Sequence, residues 1–212
     1  NKDRNYKHST KMKHVYISAD YDWYDGDQEV VDVLNGWGKD NKHTVEFVDM
    51  SKVASGTVAN DPDCRICDLK AEFNSQINAS SAVIFVVGNK TASRTAGCAC
   101  ERCRKNQEDC QCTPYKANAN GKKLCKVLST CTPGSNDDVG SINSYSYLRH
   151  EFEQAKKKNK DIVIVYNSTR NENTWFPWYM KGYEDCAFPF WIYNDSGNRV
   201  GNYQRIKDVL GF

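Results

Sequence analysis

The chain has 212 residues, of which 39% are hydrophobic, enough for one domain with a packed core. Its formal net charge is +2, from 29 basic and 27 acidic residues, so it lacks the strongly basic balance that is typical of nucleic-acid-binding domains. The longest purely apolar run, Ala82–Val87, is too short to cross a bilayer, and residues 1–13 lack the apolar stretch of a signal peptide. We therefore expect a cytoplasmic protein that binds neither nucleic acid nor membranes.

Five apolar segments are predicted to be strands, at residues 14–19, 44–48, 82–88, 161–166 and 188–193. The third and fourth are continuous runs rich in β-branched residues, which indicates strands buried on both faces of a parallel sheet. Apolar residues at helical spacing lie between the strands, and a last short helix is predicted at 204–210. This alternation predicts an α/β domain with a doubly wound, mostly parallel five-stranded sheet of the flavodoxin-like type, with its ligand at the carboxyl ends of the strands.

One long segment interrupts the alternation. Residues at about 95–143 show no sustained periodicity and are rich in Gly, Asn, Lys and Cys. A connection of this length without structure is uncommon inside a compact domain, so we interpret it as a cysteine-rich insertion. The expected organisation is a flexible segment over residues 1–13, followed by a single domain over 14–212 that carries the insertion.

The ten cysteines predict that the insertion is held together by metal or by disulfides. Five of them fall within fifteen positions: Cys98, Cys100, Cys103, Cys110 and Cys112. Short-spaced thiolates suit tetrahedral zinc, so we predict a structural zinc held by four of these five. A mixed set with Cys64, Cys67, Cys125 and Cys131 is also open, as are disulfides in place of metal. Cys186 stands apart and is expected to be a small buried apolar side chain.

Three sequence motifs follow one another in the order of the predicted elements. They are VYISADYD at residues 15–22, SAVIFVVGNKTASR at 81–94 and YLRHEFEQAKKKNKDIVIVY at 147–166. They resemble the first strand, the third strand with its G-x-x-T-x-x-R extension, and the W/Y-x-x-x-E helix of TIR-like proteins of the Thoeris antiphage family. The resemblance implies a TIR-like fold and an enzyme that cleaves NAD, releases nicotinamide and makes an ADP-ribose-type signal, linear or cyclic, in antiphage defence. The insertion is a departure, because the family normally passes from the Arg motif to the Glu helix within a few residues.

Helical geometry separates the two glutamates of the third motif. If Leu148, Phe152 and Ala155 face the sheet, Glu151 lies roughly 60° from the centre of that face, whereas Glu153 points roughly 140° away. A carboxylate beside a ribose stabilises the oxocarbenium character that develops when the glycosidic bond breaks. The resemblance implies that Glu151 is the catalytic carboxylate. The alternative is a glutamate in the first helical turn that only stabilises the helix dipole.

Further candidate ligand contacts follow the first and third strands. Those predicted to bind substrate are Ser18, Ala19, Asp20, Tyr21, Arg94 and Tyr147. Tyr21 is expected to stack on a ring, and Arg94 to hold a diphosphate. Asp25 or Asp27 is expected to cap the first helix, and packing is the expected role of Trp175, Trp178 and Trp191.

Two other functions remain open. One is a TIR-like interaction scaffold without turnover, whose insertion binds a partner. The other is an enzyme like the nucleoside deoxyribosyltransferases, which also place a carboxylate at a ribose in a similar sheet. For the preferred function NAD is the substrate, and the resemblance to TIR-like enzymes implies activation by a homo-oligomer or an activating partner.

Overall fold

The computed structural model describes residues 12–20, 27–39, 45–49, 65–94 and 146–212, with side chains from residue 72 onward in the fourth range. Its strands are β1 (Lys13–Ser18), β2 (Val45–Asp49), β3 (Ala82–Val87), β4 (Asp161–Tyr166), β5 (Ala187–Pro189), β6 (Trp191–Tyr193) and β7 (Arg199–Gly201). Its helices are α1 (Gln28–Gly38), α2 (Arg65–Ala79), α3 (Tyr147–Lys157) and α4 (Tyr203–Leu210). The predicted insertion, and residues 1–11 of the predicted leading segment, lie outside the described residues.

Five strands pair in parallel in the order β2-β1-β3-β4-β5. This is the flavodoxin-like order, so the predicted fold class is confirmed. Because the order reverses between β1 and β3, the chain leaves the carboxyl ends of these two strands toward opposite sides of the sheet. In sheets of this type, ligands bind in a crevice at this point, at the carboxyl ends of the strands.

Helices cover both faces of the sheet, as the apolar patterns predict. One core joins α1 and α4 to the sheet residues Val15, Ile17 and Ala19 and their counterparts on β3 and β4. The other core joins α2 and α3 to the alternate sheet residues. In the second core the rings of Phe85 on β3 and Phe152 on α3 meet edge to face, with centroids 5.4 Å apart. Successive side chains along a strand point to opposite faces of the sheet, so each one packs against either the α1 and α4 layer or the α2 and α3 layer.

The predicted fifth strand at 188–193 is two strands. Ala187–Pro189 joins the sheet beside β4, whereas Trp191–Tyr193 pairs antiparallel with Arg199–Gly201. Pro189 has no N–H group to continue the ladder, which favours an end of the strand at this residue. The hairpin packs closely beneath α1, because a Cβ at Gly201 would lie 2.9 Å from the Trp37 ring. The apolar run is continuous in sequence but serves two sheets.

Two packing predictions are wrong. Trp178 is 68% exposed, and Cys186 is exposed as a free thiol. Both belong to single helical turns in the connection between β4 and β5, which runs over the surface. Trp191 is buried as expected, and Trp175 is half-buried against the second core. Within the described ranges, no helix combines the length and the apolar character needed to cross a membrane.

Candidate active site

The crevice at the carboxyl ends of β1 and β3 brings two predicted ligand contacts together. Asp20 follows β1, and Arg94 follows the single turn Thr91–Ser93 after β3. Oδ2 of Asp20 lies 3.5 Å from Nε of Arg94, and the two side chains are 14% and 26% exposed. Arg94 is thus held at the crevice by a carboxylate, with part of its guanidinium facing solvent.

Ser18 and Ala19 point to opposite sides of the sheet. Ala19 lies in the core beneath α1, so the alternation along the strand directs Ser18 toward the α2 and α3 layer. The Ser18 side chain is fully buried, and its hydroxyl has no hydrogen-bond partner among the described residues. A buried hydroxyl without a partner costs about 1–3 kcal/mol, which a bound ligand can recover.

Glu151 lies on the buried face of α3, as the helical geometry predicts. The helix begins after Ser146, whose Oγ accepts a hydrogen bond of 3.0 Å from the backbone N–H of Arg149. Glu151 comes after the first turn, which contains no acidic residue, so the helix-dipole explanation is wrong. Its side chain is 0% exposed. Glu153 is 41% exposed and pairs with Lys156 at 3.3 Å, in the solvent-facing orientation expected for it.

Tyr179 belongs to the site although the sequence did not single it out. It lies on the turn Trp178–Met180, and its ring centroid is 6.1 Å from that of Phe152, the neighbour of Glu151. Burial raises the pKa of the Tyr179 phenol well above its usual range, and the negative charges of Asp20 and Glu151 raise this pKa further. The phenol therefore remains protonated at neutral pH, and the charges of Asp20, after β1, and of Glu151, on α3, both act on it.

The hydroxyl group of Tyr179 is buried, and no described residue meets the geometry of a hydrogen bond to it. The Ser146 side chain is nevertheless close enough to lower the phenol pKa. The guanidinium carbon of Arg149 lies 5.6 Å from the centroid of the Tyr179 ring and 4.5 Å from that of Trp178. One signal for this region was present in the sequence, where aromatic residues are dense between Trp175 and Tyr183.

Asp27, at the start of α1, is a second buried carboxyl beside the crevice. It was expected only as a possible helix cap, but its side chain makes no capping hydrogen bond. Instead, Oδ1 accepts a hydrogen bond of 2.8 Å from Nδ2 of Asn167, and Trp191 Nε1 donates one of 2.7 Å to Oδ1 of Asn167. The backbone N–H of Asp27 donates to the carbonyl oxygen of Asp20 at 2.8 Å, so the two acidic residues adjoin.

Burial raises the pKa of Asp27 to about 7. The hydrogen bond from Asn167 and the positive charge of Arg94 lower this pKa, whereas the charge of Asp20 raises it. The carboxyl group lies so close to the backbone of Gly88 that a Cβ there would be 2.6 Å from Oδ1. Asp27 therefore changes its charge near neutral pH. Its carboxyl group occupies the space beside Gly88 that the side chain of any other residue at position 88 would enter.

No family model and no curated protein matches the chain. A solved structure described as the crystal structure of a prokaryotic SEFIR domain is similar to it. The two sequences are 15% identical, the alignment covers 94% of each chain, and the TM-score is 0.42.

The remaining predicted site residues are placed as follows. The Tyr147 ring packs edge to face on Phe73 of α2, with centroids 5.7 Å apart. Tyr21 lies outside the described residues, as do Cys98, Cys100, Cys103, Cys110 and Cys112. In the part of the chain that is described, no group of three or more potential metal ligands occurs.

The site as a whole is rich in carboxyl groups. Asp20, Asp27 and Glu151 are placed at one edge of the sheet; Arg94 lies beside Asp20, and its positive charge also acts on Asp27. An environment of this kind favours a ligand that carries or develops positive charge. The two buried hydroxyl groups, of Ser18 and Tyr179, add hydrogen-bond donors for a polar ligand.

Proposed function

We propose that this crevice cleaves NAD at the bond between nicotinamide and ribose, as in TIR-like enzymes of antiphage defence. The observation that carries the proposal is the complete burial of Glu151 on the sheet side of α3, where its charge acts on the Tyr179 phenol. Burying a carboxylate costs free energy unless its charge is stabilised, so a glutamate without a function is normally found at the surface. The order of the three TIR-like motifs along the chain supports the choice of NAD.

The reaction fits the charges of the crevice. The C1′–N bond breaks, and its electron pair passes to the pyridinium nitrogen, so nicotinamide leaves as a neutral molecule without needing a strong acid. Positive charge develops on the ribose ring, where the carboxylate of Glu151 stabilises it. Attack by water at C1′, with loss of one proton, gives ADP-ribose. Attack by a nucleophile within the substrate gives a cyclic product instead.

The electrostatic contribution expected from one such group is large. Removing a group that stabilises transition-state charge typically costs about 10²–10³ in rate. Glu151 is held by a helix packed on the sheet through Leu148, Phe152 and Ala155, so the carboxylate is fixed in position before the ligand binds. A fixed carboxylate needs little reorganisation during the reaction, which is the condition for this kind of catalysis.

A TIR-like interaction scaffold is the second candidate function. Trp178 favours it, because this tryptophan is 68% exposed at the edge of the site and the Arg149 guanidinium is stacked 4.5 Å from its ring centroid. Exposed aromatic and arginine side chains are enriched at protein interfaces. A partner or a second copy bound here lies next to Glu151, so assembly and catalysis are compatible.

The decisive experiment is release of nicotinamide from NAD, followed by chromatography at several protein concentrations. We expect release by the wild-type protein, at a rate that rises more steeply than the protein concentration if assembly activates the site. Glu151→Gln is the matched control, since a contaminating activity survives this substitution. Absence of nicotinamide at every concentration, including in the presence of a crowding agent, contradicts the enzymatic proposal and favours the scaffold.

A further inference from the structure

Two hydroxyl groups in the crevice are buried without a hydrogen-bond partner in the described part of the chain. One belongs to Ser18 at the end of β1, and the other to Tyr179 after β4. Ser18 is in register with Phe85, whose ring contacts Phe152, and Phe152 contacts Tyr179. Ser18 and Tyr179 therefore belong to the same layer, on the α3 side of the sheet, where Glu151 is also buried.

We propose that Tyr179 is a ligand-contacting residue whose hydroxyl group, with that of Ser18, donates hydrogen bonds to the hydroxyl groups of a substrate ribose. The proposal deepens the one above and rests on it. It assigns a role to a residue outside the three motifs and names the part of the substrate that this residue recognises.

The donors and acceptors are complementary. The carboxylate of Glu151 can only accept hydrogen bonds, so it binds the O–H groups of a ribose diol but leaves the oxygen lone pairs unused. Ser18 and Tyr179 each have an O–H group to donate to those lone pairs. The pKa of Tyr179 is raised by burial, so the phenol keeps its proton at neutral pH and remains a donor. Together the three groups match a vicinal diol better than a deoxyribose.

The position of Tyr179 is also suited to contact rather than to structural support. Its ring is held by Phe152 on one side and by Trp178 at 6.0 Å on another, so the hydroxyl group is placed without rotating freely. A structural tyrosine normally satisfies a buried hydroxyl group within the protein. The Tyr179 hydroxyl group is buried without such a partner among the described residues, although the Ser146 side chain lies near it.

The test compares Tyr179→Phe with Tyr183→Phe. Both tyrosines pack on Phe152, since the Tyr183 ring centroid is 5.3 Å from it, but the buried hydroxyl group without a partner in the described residues is that of Tyr179. We expect Tyr179→Phe to lower kcat/KM for NAD by about 3- to 30-fold, the usual range for one lost hydrogen bond to a ligand. Tyr183→Phe should stay within about twofold of wild type.

Two further readouts exclude a structural explanation. Because Tyr179→Phe removes a buried hydroxyl group without a described partner, the melting temperature should be unchanged or higher, whereas loss of a structural tyrosine lowers it. NAD analogues that lack the 2′- or the 3′-hydroxyl of the nicotinamide ribose give a double-mutant cycle. For at least one analogue, wild type and Tyr179→Phe should be equally active, because the interaction is already absent.

The outcomes separate this proposal from the one on which it rests. If wild type releases nicotinamide and Tyr179→Phe equals it in kcat/KM, the role of Tyr179 is refuted and the enzymatic function stands. If wild type binds ADP-ribose by calorimetry without turnover, catalysis is refuted. A weaker Kd for ADP-ribose in Tyr179→Phe, with Tyr183→Phe unchanged, then still supports the contact, and an equal Kd overturns it. Absence of both turnover and ADP-ribose binding overturns both proposals.

Discussion

Asn167, directly after β4, donates a hydrogen bond of 2.8 Å to the carboxyl group of Asp27 at the start of α1. The backbone N–H of Asn167 also donates to the carbonyl oxygen of Val87, the last residue of β3, at 2.9 Å. Trp191 Nε1 binds the same asparagine side chain from the hairpin. One asparagine, through its backbone N–H and its side-chain amide, thus joins β3, β4, α1 and the hairpin around a buried carboxyl, on the side of the sheet opposite Glu151.

This carboxyl should make stability depend on pH. The pKa of Asp27 in the folded protein is about 7, above its ordinary 3.8, so the folded state binds the proton more tightly than the unfolded state. The resulting stabilisation is fully present below about pH 4 and is lost as the pH rises through 7. Between pH 5 and pH 8 we expect this group to remove about 2–3 kcal/mol from the free energy of unfolding.

Asp27→Asn removes that titration while keeping an oxygen that can accept from Asn167. Between pH 5 and pH 8, the free energy of unfolding of the variant, measured by chemical unfolding, should fall by about 2–3 kcal/mol less than that of wild type. Asp32→Asn, at an exposed position on the same helix, is the control and should follow wild type. An equal pH dependence in Asp27→Asn and wild type would show that the carboxyl is already charged at pH 5.

Gly88→Ala should destabilise the protein, because the added Cβ would lie 2.6 Å from Oδ1 and 2.9 Å from Oδ2 of Asp27. Asn167 holds that carboxyl in place, so relief of the clash requires breaking a partly buried hydrogen bond. We expect a loss of about 1–3 kcal/mol, measured by urea unfolding. Gly36→Ala, in α1 with nothing within 4 Å of the new Cβ, is the matched control and should be stabilising by about 0.5–1 kcal/mol. Similar effects of the two substitutions would contradict the close contact at Gly88.

Glu151→Gln and Glu153→Gln differ by two positions on one helix and should differ sharply in activity. Glu151→Gln keeps the volume of the buried side chain but removes its charge, so the rate of nicotinamide release should fall about 10²–10³-fold. Glu153→Gln loses an exposed ion pair with Lys156, which contributes on the order of 0.5 kcal/mol, and turnover should be unchanged. Equal rates in both variants, in a preparation that cleaves NAD, would move the catalytic role to Asp20.

The cysteine-rich segment, which lies outside the described residues, is expected to hold a structural zinc. Elemental analysis should find stoichiometric zinc, and a chelator should lower the melting temperature, because metal binding contributes to folding in segments too small for a core. Replacing Cys100 with serine should reduce the zinc content if this residue is a ligand. Cys186→Ser is the control, since this thiol is free and exposed. A protein without metal and without free thiols after denaturation contains disulfides instead.

The sequence by itself determined the first four strands, the helices and much of what those helices bury, but not the division of the fifth predicted strand. Strands buried on both faces have continuous apolar runs, and α3 has its apolar residues at helical spacing. The buried faces of these elements can therefore be predicted from the order of residues within each element. For the same reason the burial of Glu151 was foreseen, because its angle to Leu148 and Phe152 follows from helix geometry alone. Asp20 and Arg94 were expected at the same edge as separate ligand contacts, but the contact between them was not predicted.

Only the tertiary structure decided which polar groups meet across long separations. Asp27 and Asn167 are 140 residues apart, and nothing local distinguishes this aspartate from an ordinary helix cap. Tyr179 lies in an aromatic-rich connection, and its neighbour Trp178 is exposed whereas Tyr179 is not. The sequence could not predict this difference, because a single helical turn is too short to show which side chains face the core. Hydrophobic periodicity reports how each element faces the core, whereas hydrogen bonds and charge contacts depend on the distances at which packed elements finally lie.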